Sequence, residues 1–276
     1  MTFSICAVDR ATGDVGAAAT TKFLAVGAGV LWAEVGVGAV CTQATTRIAY
    51  GPELLDLLRA GATAEAAIAE ATAADEGRAD RQLGAVAADG AGATYTGGAC
   101  FDWAGGLVLD DATVQGNILA GSSVVEAMAS AWATSDGERL EERMLAVLHA
   151  GEAAGGDRRG RQSAAILVRR GDGTDPVDLR VDDHPEPLVE LGRLHAAYRL
   201  VYETSPREAW TAVDAALAGR IRSALIAAGH AAEPEGPWDA ALERALAAWV
   251  FDENLDGRWA GGDRIDPAVL GHLLGE

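Results

Sequence analysis

The chain has 276 residues, which is enough for one large domain or for a main domain with a smaller appendage. Hydrophobic residues make up 49% of it, so a sizeable core can form. The formal net charge of −19 argues against binding to nucleic acid or to an anionic membrane, because like charges repel. No apolar run is as long as a membrane span, no signal peptide is recognisable, and three widely spaced cysteines indicate reduced thiols. The sequence therefore predicts a cytoplasmic protein.

The first two dozen residues predict a β-hairpin. Two apolar-rich runs, Thr2–Asp9 and Val15–Phe23, flank a polar loop in which Gly13 can adopt a positive φ. If the hairpin is centred on Thr12, the numbers of two facing residues sum to 24. Thr2 then faces Lys22, and both side chains lie on the same side of the sheet. The same register gives two further pairs, Ser4 with Thr20 and Cys6 with Ala18.

The predicted pair of Thr2 and Lys22 has the chemistry of a nucleophile and its activator. Lys22 is the only lysine in the chain, and an amine can lose its proton whereas a guanidinium cannot. If Met1 is removed, Thr2 carries a free α-amine with a pKa near 8 that can serve as the base for its own hydroxyl. A neighbouring cation lowers that pKa towards neutrality. The alternative is an edge hairpin whose lysine is simply solvated.

The following segments alternate between strand and helix patterns. Strands are predicted twice within Leu24–Thr42, the second being Val35–Thr42, and then at Arg81–Ala88, Gly92–Tyr95, Thr96–Trp103, Ala112–Ile118, Ala164–Arg169 and Asp178–Val181. Amphipathic helices are predicted from Pro52 onwards and at Ala64–Ala74, Val124–Thr134 and Leu140–Ala154.

Polar residues near strand ends are further candidates for a site. Asn117, at the end of a strand, can orient a substrate or donate to an oxyanion, although an asparagine at a turn usually has only a structural role. Arg158 lies in a glycine-rich segment and can hold a substrate carboxylate, whereas Arg159 and Arg161 fit a solvated loop. That segment precedes a strand and lacks a lysine-serine ending, which excludes a phosphate-binding loop.

Three potential metal ligands follow one another at Asp182, Asp183 and His184. Adjacent side chains of a strand point to opposite faces, so they cannot converge on one ion without a turn. We therefore expect no metal site here, and no cofactor elsewhere.

The C-terminal part is predicted to be helical. Helices are expected at Leu188–Tyr202, Pro206–Ala228, Pro237–Phe251 and Pro267–Leu274. Residues at helical spacing predict its core, namely Trp238, Leu242, Leu246, Trp249 and Leu255. The expected division of the chain is a main domain at 1–187 and a helical appendage at 188–276.

Several ordered blocks of the sequence resemble the DUF1028 family of bacterial and archaeal proteins. They include TFSICAVD, KFLAVGAGV, TQA and YGPELLDLLRAG, and continue through DRQLGAV, TGGACFDWAGG, VQGNILAG, GGDRRGRQSAA and VDLRVDDHPEP. The end of the chain is similar to a helical module labelled as peptidoglycan-binding in some members. The resemblance implies an α+β fold of the N-terminal nucleophile (Ntn) hydrolase type, which is a four-layer αββα sandwich, with a small helical appendage.

The resemblance also implies roles for particular residues. In proteasome-type Ntn hydrolases an N-terminal threonine and a lysine act together, as Thr2 and Lys22 would here. The strand-to-helix turn of such enzymes supplies an oxyanion donor, which by position is Gln43 or Ala44. An aspartate and a serine support the nucleophile of related sites, and Asp157 and Ser163 are the corresponding candidates.

The leading hypothesis is an amide hydrolase that acts through Thr2 on a small amide or peptide-like substrate. A second hypothesis is a binding or scaffold protein that keeps the fold without turnover. A third is a thiol enzyme using Cys6, although no histidine lies near it in the sequence. The expected partner is a small molecule, not nucleic acid or a membrane. The helical appendage is a candidate for the contacts of a homo-oligomer.

Overall fold

Antiparallel strands and helices form two compact units, one ending at His195 and the other spanning Ala196–Glu276. The structure is a computed structural model that describes residues 2–230 and 235–276. The described strands are β1 (Thr2–Asp9), β2 (Asp14–Thr21), β3 (Leu31–Glu34), β4 (Gly38–Ala44), β5 (Arg81–Ala87), β6 (Gly92–Thr96), β7 (Gly105–Leu109), β8 (Ala112–Asn117), β9 (Ser163–Arg169), β10 (Val177–Val181), β11 (Thr211–Ala212) and β12 (Arg264–Ile265). The described helices are α1 (Tyr50–Arg59), α2 (Ala64–Ala73), α3 (Ser123–Thr134), α4 (Leu140–Ala153), α5 (Pro187–Tyr202), α6 (Ala215–Ala227), α7 (Ala240–Asp252) and α8 (Pro267–Leu274).

The first unit contains two sheets whose neighbouring strands are all antiparallel. The larger sheet has the strand order β10-β9-β2-β1-β8-β7, and the smaller has the order β3-β4-β5-β6. β1 contacts β4 and β5, and β5 contacts β8, so the two sheets pack against each other. Helices α1 and α2 contact the smaller sheet, whereas α3 and α4 contact the larger one. The chain is therefore a mixed α+β protein.

Small apolar side chains fill the space between the sheets. Cys6, Ala17 and Ala19 of the larger sheet form one buried cluster with Ala39 and Cys41 of the smaller sheet. The opposite face of β1 points towards the helices: a Cβ added at Gly151 of α4 would lie 3.0 Å from the Phe3 ring. Because side chains alternate along a strand, the even-numbered residues of β1 therefore face the smaller sheet.

The hairpin formed by β1 and β2 has a register that differs by one residue from the predicted one. Phe3 pairs with Thr20, so paired numbers sum to 23, and the predicted pairs of Thr2 with Lys22, Ser4 with Thr20 and Cys6 with Ala18 are wrong. The physical reason is the length of the loop. Asp9 pairs with Asp14 across a loop of four residues, the Asp9 carboxylate accepts from the Ala11 amide at 2.9 Å, and Gly13 closes the loop with φ 78°.

Strands β7, β11 and β12 were not predicted from the sequence, and some predicted segments are only partly formed. Most of Thr96–Trp103 is not a strand, because Gly97 and Gly98 end β6 and the Ala99 amide donates to the Ala79 carbonyl at 2.8 Å. The segment Pro206–Ala228 becomes helical only at Ala215, where the Asp214 side chain caps α6 by accepting from the Leu217 amide at 2.8 Å.

The second unit has its own apolar core between α6, α7 and α8. Leu242, Leu246, Trp249 and Leu255 are buried in that core, and Trp238 packs against it half-buried, at the helical spacing that the sequence predicts. Strands β11 and β12 form a separate two-stranded sheet. Within the described residues, no helix combines the length and the apolar character needed to cross a bilayer.

Candidate functional site

A row of polar side chains crosses four adjacent strands at one end of the larger sheet. Thr2 of β1 pairs with Asn117 of β8 on one side, and on the other side the hairpin register brings it opposite Thr21 of β2. Thr21 in turn pairs with Ser163 of β9. Directly paired residues of antiparallel strands project to the same face, so these four side chains form a row facing the smaller sheet. Three of them are sequence-predicted candidates, and Thr21 is new.

The hydroxyl groups of Thr2 and Thr21 are in direct contact. The Thr2 hydroxyl donates to Thr21 Oγ1 at 3.2 Å, and both side chains are buried. Thr2 is the first residue of a central strand and is 7% exposed, so it lies at the margin of the core and not within it. This contact replaces the predicted one with Lys22.

Lys22 lies just beyond the end of β2 and is exposed. Its ammonium group donates to the Arg161 carbonyl at 3.1 Å, and its backbone amide donates to the Asp157 carboxylate at 2.7 Å. In the hairpin register the residue opposite Thr2 is Thr21, one position before Lys22. The predicted juxtaposition of Thr2 and Lys22 is therefore not formed.

Buried amide side chains connect the two sheets behind Thr2. Gln43 Nε2 donates to Gln82 Oε1 at 2.8 Å and to the Thr2 carbonyl at 3.3 Å, while Gln43 Oε1 accepts from the Ser4 hydroxyl at 2.8 Å. Asn117 Nδ2 also donates to Gln82 Oε1, at 2.9 Å. These hydrogen bonds hold the side chains in place, so the buried side chains of Gln43 and Asn117 link the two sheets.

Asp157 and Ser163 hold the backbone that follows β2. The Asp157 carboxylate accepts from the backbone amides of Lys22 and Arg159, both at 2.7 Å. The Ser163 hydroxyl donates to the Phe23 carbonyl at 2.6 Å and accepts from the Val26 amide at 3.0 Å. Both side chains therefore shape the loop beside Thr2.

Two residues with left-handed backbone conformations flank the row. Ala44, at the end of β4, has φ 68°, and Ile118, directly after Asn117, has φ 52°. Such conformations cost free energy for residues other than glycine, and they are found most often where a site requires them. The turn at Ala44 is the one for which an oxyanion donor was predicted.

Arg158 lies close to Ile118, because the Arg158 amide donates to the Ile118 carbonyl at 3.4 Å. Its side chain is exposed, and within residues 2–230 and 235–276 its guanidinium makes no ion pair or hydrogen bond. By contrast, the Arg159 and Arg161 side chains pair with carboxylates of Asp157 and of Glu152 and Glu186, respectively.

Cys6 is buried and faces the smaller sheet, where its thiol donates to the Gly84 carbonyl at 3.4 Å. Burial, together with the hydrogen bond to Cys41, raises the pKa of the Cys6 thiol well above its usual range. A thiol held in its protonated form is a poor nucleophile, which speaks against the thiol-enzyme hypothesis.

The three residues considered as metal ligands have separate partners. Asp182 pairs with Arg180, Asp183 accepts from a glutamine side chain, and His184 Nδ1 accepts from a backbone amide. In the part of the chain that the structure describes, no three His, Cys, Asp or Glu side chains are grouped as metal ligands would be.

Two surface cavities of the first unit lie at positions other than Thr2. One of about 690 Å³ is lined by residues that include Arg10, Trp132 and Arg143, and Arg10 belongs to the loop at the opposite end of β1. Another, of about 500 Å³, is lined by residues of α1 and α2 and of the segments that precede α1 and follow α2. Neither cavity has Thr2 in its wall.

Sequence reasoning missed Thr21, Gln82 and Gln115. Thr21 was missed because of the one-residue error in register. The two glutamines carried a usable signal, because a lone amide within an otherwise apolar strand is expected to be buried with partners. Gln82 donates to the Gly116 carbonyl at 2.7 Å, and Gln115 donates to Ser4 Oγ at 2.7 Å.

These features define an α+β protein with two packed antiparallel sheets and a row of hydroxyl and amide side chains at one end of the larger sheet. The chain belongs to the DUF1028 family, since the model described as "Family of unknown function (DUF1028)" matches residues 2–191. A second model, described as "Putative peptidoglycan binding domain", matches residues 203–273.

A solved structure of the same family is similar to this chain. The crystal structure of protein SPO2555 from Silicibacter pomeroyi, a DUF1028 protein, is 40% identical in sequence, with a TM-score of 0.68. The similarity covers 72% of this chain and 86% of that one. No curated protein matches the chain.

Proposed function

We propose that the protein is an amide hydrolase whose nucleophile is the hydroxyl of Thr2, exposed as the N-terminal residue once whatever precedes it is removed. The observation that carries the proposal is the contact between the Thr2 hydroxyl and Thr21 Oγ1 at the margin of a central strand. The packing of α1 and α2 on one sheet and of α3 and α4 on the other is what a four-layer Ntn sandwich requires. Met1 itself lies outside the described residues.

The chemistry follows from an N-terminal threonine. Its α-amine takes the hydroxyl proton as Oγ1 attacks the amide carbonyl, and backbone amides near the Ala44 turn stabilise the resulting oxyanion. The amine product leaves with that proton, and an acyl ester remains on Thr2. Water, deprotonated by the same amine, then releases the acid. In this scheme Thr21 orients the Thr2 hydroxyl, whereas the role expected for Lys22 from the sequence was to lower the pKa of the Thr2 α-amine.

A non-catalytic binding protein is the second candidate. It is favoured by the burial of Thr2, which is 7% exposed, and by the mutual hydrogen bonding of the amides behind it. Such a protein would keep the row of side chains for its stability alone.

The test combines intact mass with covalent labelling. We expect native protein to lack Met1 and a β-lactone, an electrophile for N-terminal threonines, to acylate Thr2. Thr2→Ala should abolish labelling and Thr2→Ser should retain it. Labelling should become faster as pH rises through about 8, where the α-amine loses its proton.

Matched variants on β2 separate orientation from folding. Thr21→Val removes the hydroxyl that contacts Thr2 and should slow acylation about a hundredfold, which is typical of losing a positioned hydrogen bond. Thr20→Val is the control, because its hydroxyl donates to the Ser163 carbonyl at 3.1 Å on the opposite face. Active protein that retains Met1, or labelling that persists in Thr2→Ala, would exclude the proposed mechanism.

A further inference from the structure

Two exposed phenylalanines flank the row that contains Thr2. Phe23 is 68% exposed and Phe101 is 75% exposed, although phenylalanine is normally buried. Phe23 follows Thr21 by two residues, and the Phe101 carbonyl accepts from the amide of Ile118, which directly follows Asn117. Their backbones therefore lie on either side of Thr2, that of Phe23 beside Ser163 and that of Phe101 beside Ile118.

An unpaired cation adjoins this apolar rim. The Ile118 amide donates a hydrogen bond to the Phe101 carbonyl at 2.9 Å, and the Ile118 carbonyl accepts one from the Arg158 amide at 3.4 Å. The Arg158 guanidinium is exposed. Arg159 and Arg161 pair with carboxylates, whereas within the described residues Arg158 does not. On a chain with a net charge of −19, an anion is attracted only where such a local positive charge is free.

We propose that the ligand of this site, and under the proposed function the substrate of Thr2, is an amphipathic amide. It carries an apolar acyl group that contacts Phe23 and Phe101, and a carboxylate that pairs with Arg158. Guanidinium and carboxylate form two parallel hydrogen bonds, which would set the orientation of the amide over Thr2. A second copy of this chain is a poorer occupant of the rim, because two surfaces with this net charge repel each other.

Binding can be measured without chemistry in the full-length Thr2→Ala variant by titration calorimetry. The probes are N-octanoylglycine, N-acetylglycine, which lacks the apolar chain, and N-octanoylethanolamine, which lacks the carboxylate. We expect N-octanoylglycine to bind at least about tenfold more tightly than either of the others, since a buried methylene and a charged hydrogen bond each contribute.

Variants assign each part of the ligand to its residue. Phe23→Ser and Phe101→Ser should each weaken N-octanoylglycine about fivefold and leave N-acetylglycine unchanged. Arg158→Gln should bring N-octanoylglycine to the affinity of N-octanoylethanolamine. Phe251→Ser and Arg244→Gln, two exposed positions of the second unit, are the matched controls and should change nothing.

Equal binding of the three probes, or no binding of any, would overturn the inference. So would phenylalanine variants that leave binding intact but convert a dimer to a monomer in sedimentation, because a second copy would then cover the rim. If the probes are discriminated as expected while unmutated protein neither hydrolyses amides nor reacts with a β-lactone, the ligand class stands and only the hydrolytic function fails.

Discussion

Replacing Gln43 by methionine tests whether the buried amides hold the two sheets together. Methionine has a similar length and volume but cannot accept from the Ser4 hydroxyl or donate to Gln82 Oε1, both at 2.8 Å. The Ser4 hydrogen is then left without an acceptor, which costs about 1–3 kcal/mol. Ser4 Oγ still accepts a hydrogen bond from Gln115 at 2.7 Å, and Gln82 Oε1 still accepts one from Asn117. The free-energy cost at these two acceptors is therefore smaller. The expected total is about 2–4 kcal/mol.

Hydrogen exchange followed by mass spectrometry is the appropriate assay. The chain has two compact units, so a single global unfolding free energy is not well defined, whereas exchange of β1 and β4 amides reports on the first unit. Exchange of the slowest amides should accelerate by roughly 30- to 700-fold in Gln43→Met. Gln162→Met is the control: the Gln162 side chain donates to the exposed Asp183 carboxylate at 3.2 Å, and the substitution should change stability by less than about 0.5 kcal/mol.

A double-mutant cycle makes the reasoning refutable. Ser4→Ala removes the donor that Gln43→Met leaves unpaired, so the double variant should lose about 1 kcal/mol less than the sum of the single variants. Additive losses, or a cost below about 0.5 kcal/mol for Gln43→Met alone, would mean that the network does not contribute to stability as described.

Three further predictions concern other parts of the first unit. Glu141→Gln breaks a buried ion pair with Arg170, at 2.7 and 2.8 Å, and should cost about 3–5 kcal/mol by exchange of α4 amides. Burial raises the pKa of Glu141, but hydrogen bonds from partners including Arg170 outweigh it and hold that pKa below its usual range. The stabilisation is therefore complete above about pH 4.3 and is lost as pH falls through the lower, folded-state pKa; an equal acid sensitivity in Glu141→Gln would argue against this. Ala44→Gly relieves a positive φ of 68° and should stabilise the first unit by up to about 1 kcal/mol, measured as slower exchange of β4 amides, whereas faster exchange would show that the alanine is unstrained. Lys22→Arg and Lys22→Met should change β-lactone labelling by less than about threefold, because the ammonium bonds the Arg161 carbonyl; a hundredfold loss would restore Lys22 as a catalytic group.

The sequence predicted most elements of the first unit, because their patterns are local. The strands on either side of Gly90, which has φ 91°, and the helix at Leu140–Ala153 follow from residues close together in the chain. The row of candidate residues was also partly predictable, since Thr2 and Asn117 each occur at a strand end, while Ser163 was a candidate through the family resemblance.

What could not be predicted depends on details that local patterns do not encode. Three-, four- and five-residue hairpin loops are all compatible with the segment between Asp9 and Asp14, yet only the four-residue loop puts Thr21 opposite Thr2. The partners of Gln43 come from strands far away in sequence, so its buried bonds become visible only when the sheets are packed.

The single lysine gives the protein an unusual chemical handle. Amine-reactive reagents can modify a chain of this sequence at no more than two positions, the ε-amine of Lys22 and the α-amine at the N-terminus. Lys22 is exposed and lies between Thr21 and Phe23 in the chain. A dye or spin label attached to Lys22 would therefore lie beside the candidate site, and no cysteine would have to be introduced. A fluorophore on Lys22 would thus report ligand arrival at the row directly, in the otherwise unaltered protein.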